Sequence, residues 1–339
     1  MRTRSHDGLE LRALKGRSFT EYFLTGSVRE GAGSVRRSAQ ALFAQLAEAL
    51  AEHGIQPIQE RIFGLRAAKG EVLRARERAL LRRGIYPSLP RTYIEGGPVH
   101  GSGWAGFHVW GVSSSNPRGA GAVATVAGPG GVSGRLWSGR GFRLLYLPAV
   151  LGLSRSRGSF RGPANSPLGP ARQAERMFLN VRDALKAQGF AYSSVARTWI
   201  YLRRILDLYG GFNRVRNSLY GRNDFFGKSG ASKFPASTGI QGRCGDEECV
   251  MDVLALDGGS RGSARPILES SLQGRAFSYR SAFSRAMALR LGDARTVHVS
   301  GTASIDSAGA SAHRGDAAGQ SLRTLMSVAA LLEERGTGL

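Results

Sequence analysis

Apolar residues recur at helical spacing in three segments of the 339-residue chain. Each segment ends one residue before a glycine, which commonly terminates helices. The three segments are residues 41–53, 176–188 and 323–335. Apolar runs typical of strands lie before and between them, for example residues 19–25, 195–202 and 250–256. The pattern predicts amphipathic helices that pack on β-sheets.

The order of these elements repeats along the chain. Two strands, a helix, a strand, a helix and two strands are predicted within residues 18–113 and again within residues 135–257. A third copy occupies residues 275–339 and stops after its first helix, so we predict a truncated third unit. Gly- and Ser-rich residues 113–134 and 257–273 have the composition of linkers.

The chain has a formal net charge of +22, which comes mainly from arginine. Arginine pairs well with phosphate oxygens, so one interpretation is an RNA-associated basic protein. The arginines are spread along the chain, however, and a cluster such as residues 74–83 also fits the solvated face of a helix. Nucleic acid is therefore the less favoured partner.

Several classes of protein do not fit the sequence. No run of eighteen apolar residues is present and the first fifteen residues are polar, so we expect no membrane-spanning helix, no secretory signal and a cytoplasmic location. Cys244 and Cys249 are too few for a disulfide framework or a four-cysteine zinc site. The six histidines show no metal-binding spacing, so we predict neither a metal nor a cofactor.

Two groups of motifs resemble the RidA/YjgF superfamily, and most closely its chorismatase-like branch. The first is a strand, turn and helix start formed by residues 299–306, His313, Asp316 and Gln320. The second corresponds to the later half of the same domain and is formed by residues 197–203, 212–217 and 235–236. The resemblance is faint over residues 18–112.

The resemblance implies an α+β fold of tandem RidA-like (chorismate-mutase-like) units, each a mixed sheet with two helices packed on one face. In this family three units meet around an axis, which implies a trimer-like ring with ligand pockets at the seams. RidA-like members hydrolyse enamines and imines such as 2-aminoacrylate, and chorismatases hydrolyse the enolpyruvyl ether of chorismate. Both reactions need an arginine guanidinium that binds the substrate carboxylate, and a proton donor or positioned water at the reacting carbon. Neither reaction needs a metal or a cofactor.

The resemblance also indicates which residues form the site. The family's pocket arginine corresponds to Arg91 in the first unit, whereas the second unit has Ser237. The family's last-strand glutamate corresponds to Trp110 and Leu254, and Asp252 lies two residues before the latter.

From these positions we predict catalytic roles for Arg91, Asp252 and the strand arginine Arg197. Ion pairing of Arg197 with Asp207 or Asp252 is the alternative explanation of that arginine.

Further residues are predicted to bind the ligand. Ser300, Gly301 and Thr302 form a small-residue turn whose backbone N–H groups suit an anion. Glu95 lies close to Arg91 in sequence, and His313 precedes a predicted helix start. The leading hypothesis is a protein that binds a small carboxylate-bearing enol, enamine or imine at a seam and hydrolyses it. A catalytically inactive binding or scaffold protein is the second hypothesis.

Overall fold

A computed structural model describes residues 2–6, 8–31, 33–98, 103–114, 122–152, 168–222, 225, 233–306 and 309–336. Within these residues the strands are β1 (Arg2–His6), β2 (Leu9–Lys15), β3 (Phe19–Ser27), β4 (Gln56–Gly64), β5 (Thr92–Glu95), β6 (Trp104–Ser114), β7 (Val123–Ala127), β8 (Ser133–Gly139), β9 (Phe142–Leu151), β10 (Val195–Leu202), β11 (Ala236–Gln241), β12 (Cys249–Asp257), β13 (Gly262–Ile267), β14 (Ala286–Leu291) and β15 (Ala294–Val299). The helices are α1 (Val35–Glu52), α2 (Lys69–Arg82), α3 (Pro170–Ala187), α4 (Ile205–Gly221) and α5 (Ala317–Glu333).

The first sheet has the strand order β1-β2-β3-β6-β4-β5. Its neighbours are antiparallel except β4 and β5, which are parallel and are connected through α2. Helix α1 begins at Ser34, whose hydroxyl accepts a hydrogen bond from the backbone N–H of Arg37 at 3.3 Å. Both α1 and α2 pack their apolar stripes on one face of this sheet, where Phe43, Val72 and Phe107 are almost completely buried.

The second sheet has the same arrangement, with the order β7-β8-β9-β12-β10-β11. Only β10 and β11 are parallel among its described pairs. Helices α3 and α4 cover one face, and the core between them and the sheet includes Phe178, Val181 and Tyr220. The two sheets therefore share a topology in which the parallel strand lies at the edge.

The third sheet consists of β13, β14 and β15 in antiparallel order, and α5 follows it. Asp316 caps α5 by accepting a hydrogen bond from the backbone N–H of Gly319 at 2.9 Å. The core beneath α5 is small, with Ile267, Ala286 and Leu331 buried. No helix among the described residues is long and apolar enough to cross a bilayer.

The predicted α+β class, with mixed sheets covered by two helices on one face, is confirmed by the first two sheets. The element order differs from the prediction, because three strands and not two precede the first helix of each of these sheets. The residues expected to be linkers contain β7 and β13. Both strands have largely exposed or half-buried side chains, since an edge strand is held mainly by backbone pairing.

The faces of the sheets that carry no helices pack against one another. This central core contains Ile58 and Trp110 from the first sheet, Tyr146 and Leu254 from the second, and Met287 from the third. All five side chains are at least nine-tenths buried. The apolar central core fixes how the sheets are placed, and this placement determines which polar side chains meet at their seams.

Gly106 lies where the central strand of the first sheet passes closest to β3. Its φ is +134°, and an added Cβ would lie 1.9 Å from the carbonyl oxygen of Gly26. We expect Gly106→Ala to lower the free energy of unfolding by at least about 2 kcal/mol, through backbone strain and steric overlap. Chemical denaturation measures this loss. Gly96→Ala is the matched control, because no atom lies within 4 Å of its added Cβ, and it should change stability by less than about 1 kcal/mol.

Candidate active site at a seam between two sheets

Strand β5, at the edge of the first sheet, meets the second sheet. Glu95 and Arg243 exchange backbone hydrogen bonds, with the Glu95 N–H donating at 2.7 Å and the Arg243 N–H at 3.3 Å. The Thr92 hydroxyl donates to Oδ1 of Asp252 across the same seam at 2.6 Å. The seam is therefore held by backbone and side-chain hydrogen bonds as well as by apolar packing.

A cleft of about 330 Å³ opens at this seam. Its walls come from both units, since β5 and the loop before it face β9, α3 and the turn between β7 and β8. The lining residues are Lys69, Leu73, Ser88, Leu89, Pro90, Arg91, Tyr93, Gly130, Gly131, Val132, Ser133, Pro148, Ala149, Leu151, Asn180 and Cys244. Lys69 and Arg91 supply positive charge, and no carboxylate or imidazole is found among these described lining residues.

Arg91 lies in the cleft wall immediately before β5. Its Nη1 donates to the Leu89 carbonyl at 3.3 Å, and Nη2 lies 3.5 Å from Oε1 of Glu77, a half-exposed carboxylate. Burial lowers the pKa of Arg91, and the charge of Arg76 acts in the same direction. Both contacts of the guanidinium are long for charged groups, so its N–H groups can turn to a carboxylate in the cleft.

Three cleft side chains are fixed in neutral or paired states. Lys69 Nζ lies 5.3 Å from the centre of the Tyr93 ring and 3.4 Å from Oε1 of Glu95. Burial raises the pKa of Tyr93 to about 12, helped by the charge of Glu95, and its hydroxyl donates to the Leu65 carbonyl at 2.9 Å. Burial also raises the pKa of Cys244 to about 11, so the thiol is protonated near neutral pH and is a poor nucleophile.

Asp252 is completely buried behind the cleft. Its Oδ1 accepts from the Thr92 hydroxyl at 2.6 Å and from the Ala149 backbone N–H at 2.8 Å. Its Oδ2 accepts from Tyr146 at 2.9 Å and from Tyr201 at 3.4 Å. Burial raises the pKa of Asp252, while the hydrogen bonds from Thr92, Ala149 and Tyr146 and the charge of Arg61 lower it. Because Thr92 and Ala149 adjoin or form the cleft wall, Asp252 connects the wall to the interior of the second sheet.

Arg197 lies on the central face of β10 and is 5% exposed. Its Nη2 donates to the Thr238 hydroxyl, and its guanidinium carbon lies 4.9 Å from the centre of the Trp199 ring. Neither Asp207 nor Asp252 pairs with it, so the alternative explanation by an ion pair is wrong. Burial and the charge of Arg61 lower the pKa of Arg197 to about 9.

The predicted Ser300–Thr302 turn lies at a second seam, between the second and third sheets. The Ser300 hydroxyl donates to the Ser284 carbonyl at 2.5 Å and accepts from the Ser237 backbone N–H at 2.9 Å. The Gly301 N–H donates to the Ser237 carbonyl at 3.0 Å, and the Thr302 hydroxyl donates to the Ser300 carbonyl at 3.1 Å. The Gly301 N–H is thus used to join the sheets.

Glu95 and His313 occupy different parts of the fold. Glu95 is buried at the first seam, where Oε1 accepts from the Gly245 N–H at 3.1 Å and faces Lys69. His313 is exposed, has a φ of 54° and accepts a hydrogen bond from the Asp316 N–H through its carbonyl. His313 is not among the residues that line the cleft.

The structure therefore brings some predicted residues together and separates others. Arg91 and Asp252 lie on either side of Thr92, which contacts Asp252 directly. Glu95 lies at the same seam, whereas Arg197 and the Ser300 turn border Thr238 at the second seam.

Sequence reasoning missed Lys69, Tyr93 and Asn180 as cleft residues. No local motif marks them, because the cleft exists only once two sheets have packed. Among the described residues, no cluster of three or more His, Cys, Asp or Glu side chains is arranged to hold a metal ion.

Comparisons with known proteins give a structural likeness without a sequence match. No family model matches the chain, and no curated protein matches it. A crystal structure of a chorismatase has a TM-score of 0.50 and 13% identity, and the match covers 76% of this chain and 79% of that protein.

Shorter structures also match. The Escherichia coli YjgF gene product has 15% identity over 34% of this chain and 80% of its own, with a TM-score of 0.28. Escherichia coli TdcF with bound serine has 14% identity over 42% of this chain and 94% of its own, with a TM-score of 0.29. The fold assignment rests on the chorismatase, because both shorter structures have TM-scores below 0.5. The described residues have a fold like that of the chorismatase structure.

Proposed function

We propose that this protein binds a small carboxylate-bearing enol, enamine or imine in the cleft between the first and second sheets. The observation that carries the proposal is the position of Arg91, a partly desolvated guanidinium with long, exchangeable contacts in the wall of a 330 Å³ cleft. A carboxylate would accept two charged hydrogen bonds from this fork. Lys69 places a second positive charge in the same wall.

The size and lining of the cleft limit the ligand. A volume of about 330 Å³ lies at the lower end of the range for small-molecule sites, which favours a metabolite over a macromolecule. Leu73, Val132 and Leu151 supply apolar surface for a carbon skeleton, and Asn180 and Ser133 supply hydrogen-bonding groups. This mixture suits a compact molecule with one anionic end and a short unsaturated body.

We infer that Asp252 positions the cleft wall and does not act on the ligand directly. It is completely buried, and its four hydrogen bonds hold Thr92 and Ala149 in place. The described lining offers no carboxyl or imidazole group for proton transfer. We therefore propose ligand binding without hydrolysis. A turnover assay with 2-aminoacrylate and with chorismate tests this point, and hydrolysis of either at an enzymatic rate would contradict it.

Replacing Arg91 by alanine is expected to weaken binding of a carboxylate ligand by about 10- to 100-fold. A hydrogen bond to a charged group contributes about 1.5–3 kcal/mol, and every 1.4 kcal/mol is a factor of ten in affinity. Isothermal titration calorimetry with pyruvate and with chorismate measures the change.

Arg182→Ala is the control for the loss of one positive charge. Arg182 is a surface arginine, 45% exposed, which pairs with Asp183 at 2.9 Å. Its removal should leave the affinity within about twofold, because exposed charges are screened. Equal affinities of the wild-type protein and Arg91→Ala would show that Arg91 is not the anchor.

A further inference from the structure

A second group of charged residues lies where the three sheets meet, away from the lining of the cleft. Arg61 on β4, Arg197 on β10 and His298 on β15 come from the first, second and third sheets. The two arginines contact Trp199. Burial lowers the pKa of His298 to about 4, and the charges of Arg197 and Arg61 act in the same direction. We name these four residues the central cluster. None of them lines the seam cleft.

The two guanidinium groups of the central cluster contact the same aromatic ring. The guanidinium carbons of Arg61 and Arg197 each lie 4.9 Å from the centre of the Trp199 ring. Cation–π contact stabilises each group by about 0.5–2 kcal/mol. The same contact holds two like charges near one another, and their repulsion contributes to the low pKa of Arg197.

The central cluster has hydrogen-bonding capacity that the described residues do not use. Nε of Arg61 and Nη1 of Arg197 are buried and have no hydrogen-bond partner there. Arg197 is 5% exposed, so its Nη1 cannot be satisfied by freely exchanging bulk water. A buried N–H without an acceptor costs about 1–3 kcal/mol, and more when the group is charged.

The surroundings of Arg61 compensate one of the two charges. Burial lowers the pKa of Arg61, but Tyr201, Tyr146 and Asp252 raise it above its ordinary value. Asp252 acts on Arg61 through its charge, but both oxygens of Asp252 are occupied by Thr92, Tyr146, Tyr201 and the Ala149 N–H. Two arginines therefore face a single carboxylate. This local excess of positive charge has the sign that attracts an anion.

The edge of the cluster is partly exposed. Arg61, Trp199 and His298 are half-buried, and the neighbouring Thr238 is half-buried as well. His108, whose strand partner is Arg61, is exposed. The cluster is therefore buried at its unused N–H groups and partly exposed at its edge.

We propose that the central cluster binds a small oxyanion, a carboxylate or a phosphate group, between Arg61 and Arg197. The anion accepts the unused N–H groups and relieves the repulsion between the two guanidiniums. The two arginines come from the first and second sheets, so occupation of the site stabilises the junction between these two sheets. It is independent of the ligand assigned to the seam cleft.

Thermal unfolding with inorganic phosphate and with acetate as probes tests this site in the full-length protein. Sodium chloride at matched ionic strength is the reference, because screening alone changes stability. We expect a rise in Tm with phosphate or acetate above that reference, since a ligand that binds the folded state stabilises it. Which probe gives the larger rise distinguishes a phosphate ligand from a carboxylate ligand.

Arg197→Met and Arg61→Met each remove one charge from the cluster while keeping an apolar side chain on Trp199. Calorimetry should show at least tenfold weaker binding of the effective probe by each variant. Without the probe, Arg197→Met should unfold at or above the wild-type Tm, because the repulsion from Arg61 is removed; a merely structural Arg197 would give a lower Tm.

Arg182→Ala is the control for the loss of one positive charge, and it should bind the probe as the wild type does. The proposal is overturned if the probes raise Tm no more than chloride does. It is also overturned if the rise persists in both Arg197→Met and Arg61→Met, or if Arg91→Ala alone abolishes it. That last result would assign the anion to the seam cleft.

Discussion

Replacing Asp252 by alanine is expected to lower the free energy of unfolding by about 3–5 kcal/mol. The side chain is completely buried and accepts hydrogen bonds from Thr92, Tyr146 and the Ala149 N–H. Its removal leaves these donors buried without acceptors, and it also leaves Arg61 without its nearest counter-charge. Each unsatisfied donor costs about 1–3 kcal/mol, and breaking a buried charge network costs about 3–5 kcal/mol.

The loss should appear as a lower midpoint in chemical denaturation. Asp257→Ala is the matched control, because Asp257 ends the same strand and pairs with Arg143 at 2.7 Å while remaining 43% exposed. An exposed ion pair contributes about 0–1 kcal/mol, so this control should lose little. If Asp252→Ala lost no more than Asp257→Ala, the hydrogen-bond network around Asp252 would not hold the seam.

The Asp252 variant also bears on ligand binding. Because Thr92 and Ala149 belong to opposite sides of the seam and both donate to Asp252 Oδ1, this carboxyl fixes the distance between the cleft walls. We expect the folded fraction of Asp252→Ala to bind a carboxylate more weakly, although Asp252 does not line the cleft. Asp252 is in this sense a positioning residue.

The sequence predicted the helices better than the edge strands. Helices α1, α3 and α5 overlap the three periodic segments, because an amphipathic stripe and a terminal glycine are both local signals. Strand β12 was expected over residues 250–256 and spans Cys249–Asp257, since its buried run is apolar throughout. Strands β7 and β13 were missed because their polar, small residues match a linker in composition.

The candidate site was only partly predictable for a different reason. Arg91 and Asp252 could be found because they lie at or near positions that correspond to site residues of the family that the sequence resembles. Thr92 and Asp252 are 160 positions apart, and their contact follows from the packing of two sheets. No local sequence pattern indicates such a contact. The same holds for Arg61, Arg197 and His298, which meet only because three sheets share one central core.

Arg76 and Glu60 form a buried ion pair beneath the cleft. Arg76 is fully buried on α2, and its Nε and Nη2 lie 2.6 Å and 2.5 Å from the two carboxylate oxygens of Glu60 on β4. Its Nη1 donates to the Pro87 carbonyl at 2.6 Å, in the loop that leads to Arg91. The pair therefore connects the helix, the sheet and the cleft wall.

Arg76→Met is expected to destabilise the fold by about 3–5 kcal/mol, because it leaves Glu60 charged, buried and unpaired. The double variant Arg76→Met/Glu60→Leu should recover most of this loss, since an apolar pair of similar volume often replaces a buried ion pair at little cost. A double-mutant cycle by chemical denaturation measures the coupling between the two side chains. A double variant that was no more stable than Arg76→Met would show that packing or the Pro87 contact, and not the charge on Glu60, determines the loss.

The cycle also separates stability from binding at Arg91. In Arg76→Met the uncompensated Glu60 carboxylate competes with a ligand carboxylate for Arg91, because Glu60 already acts on Arg91 through its charge. We expect ligand affinity to fall in Arg76→Met and to return in the double variant, measured by calorimetry on folded protein. An affinity that stayed low in the double variant would instead assign the effect to the loop held by Pro87. The ion pair with Arg76 thus keeps Glu60 from pairing with Arg91, whose guanidinium binds the ligand.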